Sequence, residues 1–285
     1  MEKVLIGMSG GVDSSVSALL LKEKGYEVIG ATMLLTDDKE KNDKIVEDAR
    51  NVCKQIGISF YLFDFREEFR KNVICNFINC YKCAKTPNPC VECNKYMKFG
   101  KFAEKAEELG CKYISTGHYA KVEYSTKYSQ YVLKRAGAQE KDQTYFLYAI
   151  PKQIIEKLIF PLENIEEKKD VRKIAEEKGL KIARKPDSQE ICFVKDNDYA
   201  NYVKRHSNAS IKEGNFVDTK GNVLGKHKGI VHYTIGQRKG LGIALGHPAY
   251  VISKDIEKNT VVLGGNNDLF TDRLRAYNFN WIIPA

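Results

Sequence analysis

A chain of 285 residues with 43% hydrophobic and 29% charged residues has the composition of a folded soluble protein of about two domains, and neither an internal repeat nor a low-complexity tract is visible. The net charge of +9 admits a polyanionic partner without requiring one. No apolar run reaches the ~18 residues of a membrane span, and the amino terminus enters a strand without a signal-type leader. A cytoplasmic protein is expected, with no membrane partner and with eight cysteines acting as thiols, metal ligands or catalysts rather than disulfides.

The first element is an apolar strand over Lys3 to Met8, joined through Gly10 and Gly11 to an amphipathic helix over Asp13 to Lys24. Strand, glycine turn and helix make a phosphate cradle, because the glycines leave their amides bare and the helix points its positive end at the anion; Ser9, Ser14 and Ser15 add hydroxyls. No lysine follows the glycines, which points away from γ-phosphate transfer. Strands then follow at Glu27 to Leu35 and Ser59 to Asp64, with a helix between them marked by Ile45, Ala49, Val52 and Ile56. This alternation predicts an α/β fold with a doubly wound, mostly parallel sheet.

A helix is expected from about Arg66 to Tyr81, and a second from the Thr86-Pro-Asn-Pro-Cys run to near Gly110, followed by a strand over Lys112 to Ser115 that leads into Thr116-Gly117-His118-Tyr119-Ala120. Asn88 suits an N-cap and Pro89 the first helical position, which places Cys90 and Cys93 on one face of a first turn, where a thiol pKa is depressed. Lys121 to Arg135 reads as an inserted hairpin, Asp170 to Lys178 as a capped helix, and Cys192 as lying just after a strand among polar residues. Crossovers end near Leu180. From about Asn208 short apolar runs separated by turn residues predict a small β-rich domain, in which Lys226, His227, Lys228, Arg238 and Lys239 face either a phosphate backbone or solvent.

The loop Gly7-Met-Ser-Gly-Gly-Val-Asp-Ser14 resembles the pyrophosphate loop of the ATP pyrophosphatases. With GMSGGVDSS, the TPNP run ending in Cys93-Asn94 with MKFG behind it, STGHYA, KDQTYFL, PDSQEICFV and YTIGQRKGLGI in order, nearly the whole chain resembles the bacterial tRNA-specific 2-thiouridylases, which replace the 2-oxygen of the wobble uridine with sulfur. The resemblance implies a catalytic domain over 1–207, a small β-rich domain over 208–270, and at 271–285 the start of a carboxy-terminal β-barrel that is otherwise missing. It implies ATP and Mg²⁺ as cofactors, tRNA as partner, and a sulfur donor such as a cysteine desulfurase or a sulfur relay protein.

On matching residues the resemblance implies that Gly7, Met8, Ser9, Gly10, Gly11, Val12, Asp13 and Ser14, with Met33 and Gly117, hold ATP, and that Asp13 positions the magnesium-bound pyrophosphate. Cys93 is then the nucleophilic thiol and Cys192 the persulfide carrier, while Asn88, Pro89 and Cys90 line the pocket for the extruded base. His118, Lys141, Asp142 and Gln143 contact the tRNA. Many members have Asp where this chain has Cys90, so Cys90, Cys93 and Cys192 form either three ligands of a four-iron, four-sulfur cluster or a persulfide pair with a spare thiol; clustered, helix-capped thiols favour the metal. Cys80-x-x-Cys83 ahead of Cys90-x-x-Cys93 admits a structural zinc site as well. Alternative functions are another adenylating enzyme of the superfamily, such as a different tRNA thiolase or an amidotransferase, and a tRNA-binding module without turnover.

Overall fold

The computed structural model describes residues 1–186, 190–195, 198–207 and 211–283. The chain divides into two compact units, one of residues 1–73, 90–189 and 280–285 and the other of 74–89 and 190–279. The expected boundary between 207 and 208 falls at Asn208, outside the described residues.

In the first unit the expected parallel sheet is present. Strands β1 (Lys3–Gly7), β2 (Glu27–Leu34), β3 (Ser59–Asp64), β4 (Tyr113–Ser115) and β7 (Leu158–Ile159) lie in the order β3-β2-β1-β4-β7, all parallel. The chain builds outward from β1 to β2 and β3 on one side, then crosses to β4 and β7 on the other. The order therefore reverses between β1 and β4, and a crevice at the carboxyl ends of those two strands is where such sheets bind ligands. Strands β5 (Lys121–Ser125) and β6 (Gln130–Lys134) form the inserted hairpin.

Helices α1 (Val12–Glu23), α2 (Lys39–Ile56) and α7 (Lys168–Glu177) share one apolar core, in which Val16, Leu21, Ala49, Val52, Val171 and Ala175 are buried with Val4 and Ile6 of β1. Each such Val or Leu removed from water contributes roughly 1.5–3 kcal/mol. That core fixes the start of α1, and with it the loop between β1 and α1. The expected helix from Arg66 is continuous but not uniform: α3 (Arg66–Phe69) passes through a π-helical stretch, Arg70–Ile74, into α4 (Cys75–Lys82). Helix α5 (Pro89–Cys93) likewise runs through the π stretch Asn94–Lys101 into α6 (Phe102–Glu108), and π geometry of this kind is common at functional sites.

The second unit is β-rich, with β8 (Gly214–Val217), β9 (Val223–His227), β10 (Tyr250–Asp255) and β11 (Thr260–Gly264) in the order β10-β11-β8-β9. Phe216, Tyr233, Leu241, Val251, Val261 and Leu263 fill its core. Helices α4 and α8 (Tyr199–His206) pack through Phe77, Tyr81, Tyr202 and Val203. His227 does not face outward with its basic neighbours: it is buried, its Nε2–H donating to the Asn259 carbonyl at 3.1 Å while Nδ1 accepts from the Gly229 amide at 3.0 Å. Lys226, Lys228, Arg238 and Lys239 remain exposed. Residues 271–283 form no strand among the described residues and no closed barrel is present there. Pro284 and Ala285 lie outside the described residues. No described helix is long and apolar enough to cross a membrane.

Candidate active site

Strand β1 ends at Gly7, and Met8 is pinned to β2 by its amide on the Ala31 carbonyl (2.7 Å) and by its own carbonyl, which accepts from Thr32 Oγ1 (2.8 Å). The chain then turns at Gly10, whose φ of 66° and whose missing Cβ, 3.1 Å from the Ile45 carbonyl oxygen, both demand glycine. The serines close the loop on itself. Ser9 N–H donates to Ser14 Oγ (3.2 Å), and Ser14 and Ser15 donate their hydroxyls to the Gly11 carbonyl (3.1 and 2.8 Å). Ser14 is thus a strut of the loop rather than a free donor, which leaves the bare amides and the exposed Ser9 to meet an anion.

Although the loop carries no lysine of its own, two distant lysines reach it. Lys168, at the start of α7, places Nζ 2.7 and 2.6 Å from the two carboxylate oxygens of Asp13, and Tyr119 Oη donates to the same carboxylate at 2.8 Å. Lys185 Nζ donates to the Gly10 carbonyl (2.8 Å) and to Asp48 Oδ2 (2.6 Å), clamping the turn to α2. Neither lysine is legible from local pattern, because each meets its partners across more than 130 residues of chain.

Gly117, just beyond β4, faces the same loop. A Cβ there would lie 2.7 Å from the Ser14 amide nitrogen and 2.9 Å from the Asp13 carbonyl carbon, so only glycine lets the two backbones meet. Met33 and Thr116 both approach Gly7, at 3.7 and 3.8 Å from where its Cβ would be, which places the ends of β1, β2 and β4 around one crevice. His118 is buried beside it: Nδ1 lies 2.7 Å from Thr116 Oγ1, Nε2 lies 3.4 Å from Lys98 Nζ, and Phe99 and Phe160 flank the ring. Burial, reinforced by the Lys98 charge, pushes its pKa well below 6.5, so the imidazole is neutral.

Pro89 opens α5 as expected, with Cys90 exposed and Cys93 buried at its end. Asn88 is half-buried. The next residue, Asn94, donates Nδ2 to the Phe146 carbonyl at 2.8 Å and so ties the thiol-bearing helix to the segment that follows Gln143. Lys141 is exposed, but Asp142 accepts from the Ala136 amide (3.0 Å) and from Thr144 Oγ1 (2.5 Å), and Gln143 exchanges hydrogen bonds with both backbone groups of Tyr119 (2.8 and 3.0 Å). Asp142 and Gln143 therefore anchor this segment to the loop after Gly117.

Cys192 belongs to the second unit and is exposed. It sits on a turn closed by the Val194 amide on the Ile191 carbonyl, and the adjoining Phe193 packs edge-on against Phe77 at 5.2 Å; the strand expected before it falls on residues outside the described ones. Asp187, Ser188 and Gln189 of the same motif lie outside the described residues. Among the described residues no group of three or more His, Cys, Asp or Glu side chains is arranged to hold a metal ion. Cys53 and Cys111 are buried structural thiols, burial pushing the first up to about 12 and raising the second as well.

Residues 2–196 match the family described as tRNA methyl transferase HUP domain, and residues 200–265 the one described as tRNA methyl transferase PRC-barrel domain. The tRNA-specific 2-thiouridylase MnmA of Clostridioides difficile (strain 630) is 54% identical over 289 residues, covering 99% of this chain and 80% of that protein. Proteins of the same name from Acetivibrio thermocellus and Lachnoclostridium phytofermentans are 50% and 47% identical, covering 99% and 98% of this chain and 81% of each relative.

Proposed function

We infer, from the membership of this chain in the tRNA-specific 2-thiouridylase family, how its own residues carry out that chemistry. The chain is a tRNA-uridine 2-sulfurtransferase, which uses ATP to convert the uridine 2-oxygen into a leaving group and then puts sulfur in its place. The description of the matching domains names methyl transfer, yet the loop after β1 is an anion cradle and the chain presents cysteines at two motif positions; both fit adenylation followed by sulfur transfer.

One observation carries this reading: Asp13, Lys168, Lys185 and Gly117 converge on the loop at the switch point between β1 and β4. Bare amides and two lysines suit the oxygens of a triphosphate, the Asp13 carboxylate suits Mg²⁺, and the missing Cβ at Gly117 lets the loop after β4 close against the cradle. Mg²⁺, when bound, supplies charge neutralisation to the departing pyrophosphate. Gly7, Met8, Ser9, Gly10, Gly11, Val12 and Ser14 shape the cradle, and Met33 borders the nucleoside side. The α-phosphorus is attacked by the uridine 2-oxygen, pyrophosphate leaves, and the base becomes an O-adenylate.

Sulfur then arrives as a persulfide on Cys192, loaded by a persulfide donor such as a cysteine desulfurase or relay protein. Cys93 thiolate attacks the inner sulfur, forming a Cys93–Cys192 disulfide and releasing hydrosulfide; hydrosulfide adds to C2 of the adenylated base and AMP departs. A thiol reductant returns the disulfide to two thiols. Asn88, Pro89 and Cys90 border the entrance for a base splayed out of the anticodon loop, a requirement for any chemistry on a stacked base. Lys141 faces the tRNA on a segment that Asp142 and Gln143 anchor, and the buried His118 imidazole acts on that side through Lys98. The two-thiol route balances with a persulfide donor and a thiol reductant alone, so no step is routed through an iron–sulfur cluster. The reaction belongs in the cytoplasm, where tRNA, ATP and reduced thiols coexist.

The test is mass spectrometry of nucleosides from unmodified tRNA incubated with the chain, ATP, Mg²⁺ and a persulfide donor. 2-Thiouridine with stoichiometric AMP and pyrophosphate is expected; a methylated nucleoside, or binding with no product, would overturn the reading.

A further inference from the structure

Two of the three polar residues in Lys141-Asp142-Gln143 are spent within the chain, so recognition by this segment has to come from what it turns outward. That is aromatic. Tyr145 is 66% exposed and Tyr148 is 56% exposed, with ring centroids 6.1 Å apart and planes at 54°. Rings this exposed do little for the fold, yet the turn Thr144–Leu147, which carries Tyr145 and is capped by Tyr148, is held firmly. Gln143 fixes its start on Tyr119, Asn94 holds the Phe146 carbonyl, and Leu147 is fully buried.

We propose that Tyr145 and Tyr148 form a stacking platform for an unpaired base of the RNA substrate, next to the nucleotide that is thiolated. This rests on the reading that the chain acts on tRNA. Unpaired loop bases are recognised by splaying onto aromatic rings, and stacking needs a ring that is both exposed and preorganised. Lys141 and Lys152, both exposed and flanking the two tyrosines in sequence, supply charge for the neighbouring phosphates. The position follows from Asn94, which is 1% exposed, directly follows Cys93, and leaves its Oδ1 buried without a hydrogen-bond partner. An orphaned acceptor costs roughly 1–3 kcal/mol, a cost set against the single hydrogen bond that registers the platform on the helix of the nucleophile. Two other exposed tyrosines, Tyr124 and Tyr131, face each other across the β5–β6 hairpin at 5.4 Å and belong to strands rather than to this turn.

The experiment measures KM for tRNA, kcat, and the salt dependence of tRNA affinity for the wild-type chain and for Tyr145→Ala, Tyr148→Ala, Tyr145→Phe and Lys141→Met, with unfolding midpoints as a folding control. Removing a stacked ring should raise KM for tRNA by about tenfold, with kcat at saturating tRNA and the salt slope unchanged. Tyr145→Phe should stay within about twofold of wild type because the ring remains, whereas Lys141→Met should reduce the salt slope by about one. Alanine variants that match wild type while the wild type thiolates tRNA would overturn the platform alone. So would Tyr145→Phe failing as badly as Tyr145→Ala, since the hydroxyl would then be the contact. A wild-type chain that neither binds nor thiolates tRNA would instead sink the tRNA reading, and the platform with it.

Discussion

Lys168 closes on Asp13 with both carboxylate oxygens within 2.7 Å of its ammonium, and Tyr119 adds a third contact to the same carboxylate. The pair is largely screened from water, with side-chain exposures of 15% and 30%. In the proposed reaction Asp13 would hold magnesium, and the Lys168 ammonium released from it would neutralise the phosphates. Lys168→Met should therefore lower tRNA-dependent pyrophosphate release by about 10²–10³-fold, the usual cost of losing one preorganised charge in an active site. Lys168→Arg should recover only part of it, because the guanidinium cannot occupy the same point. Pyrophosphate release by Lys168→Met at the wild-type rate would remove Lys168 from the chemistry.

Gly117 tests the geometry of the crevice rather than its charge. Its Cβ would meet backbone atoms of Asp13 and Ser14, which cannot swing aside as a side-chain tip can. Gly117→Ala should push the loop after β4 away from the cradle, weaken ATP binding by about tenfold or more, and cost roughly 1–3 kcal/mol of stability. Titration calorimetry with ATP and urea unfolding read the two effects separately. Unchanged ATP affinity would show that the close approach does not shape the nucleotide site.

The parallel sheet was legible because the β1 loop and the apolar runs at Glu27 and Ser59 report period and turn chemistry locally. Its consequence, the switch point between β1 and β4, needed only the order of those strands. Lys168 and Lys185 were not legible: a lysine at the start of a helix looks like any solvated lysine until the fold brings it to Asp13 or Gly10. The same limit misplaced His227, which belongs to a basic-looking run yet packs inside, held by Asn259 and Gly229. Asp142 and Gln143 show the reverse case, in which a motif expected to face RNA is also a structural joint.

Burial holds His118 neutral, as it does His227 and His232, so each has a folded pKa below its unfolded value of about 6.5. The unfolded chain then binds more protons than the native one once pH drops below about 6.5. Their stabilisation is fully present above that pH and is lost as pH falls toward the folded values. His118→Gln should flatten the decline between about pH 6.5 and 5.5 by up to about 1 kcal/mol relative to wild type. Parallel urea midpoints for the two proteins across that window would count against a buried neutral imidazole at His118.

The thiols separate the two sulfur routes, and Cys90 is the residue that tells them apart. In the persulfide route Cys93 attacks and Cys192 carries, and Cys90 only borders the base. In a cluster it is a ligand, and losing one of three thiolates would release the iron. Cys90 is exposed near the start of α5 while Cys93 is buried at its end, an unequal pair to serve as ligands of one cluster. Cys90→Asp keeps a polar side chain that also suits the first turn of a helix. Protein purified without oxygen should therefore be colourless, Cys90→Asp should thiolate tRNA from a persulfide donor within about threefold of wild type, and Cys93→Ser and Cys192→Ser should each lose turnover by about 10³-fold or more, because an alcohol cannot replace either sulfur. Brown, iron-loaded protein whose colour and activity both vanish in Cys90→Asp would replace the two-thiol route with the cluster.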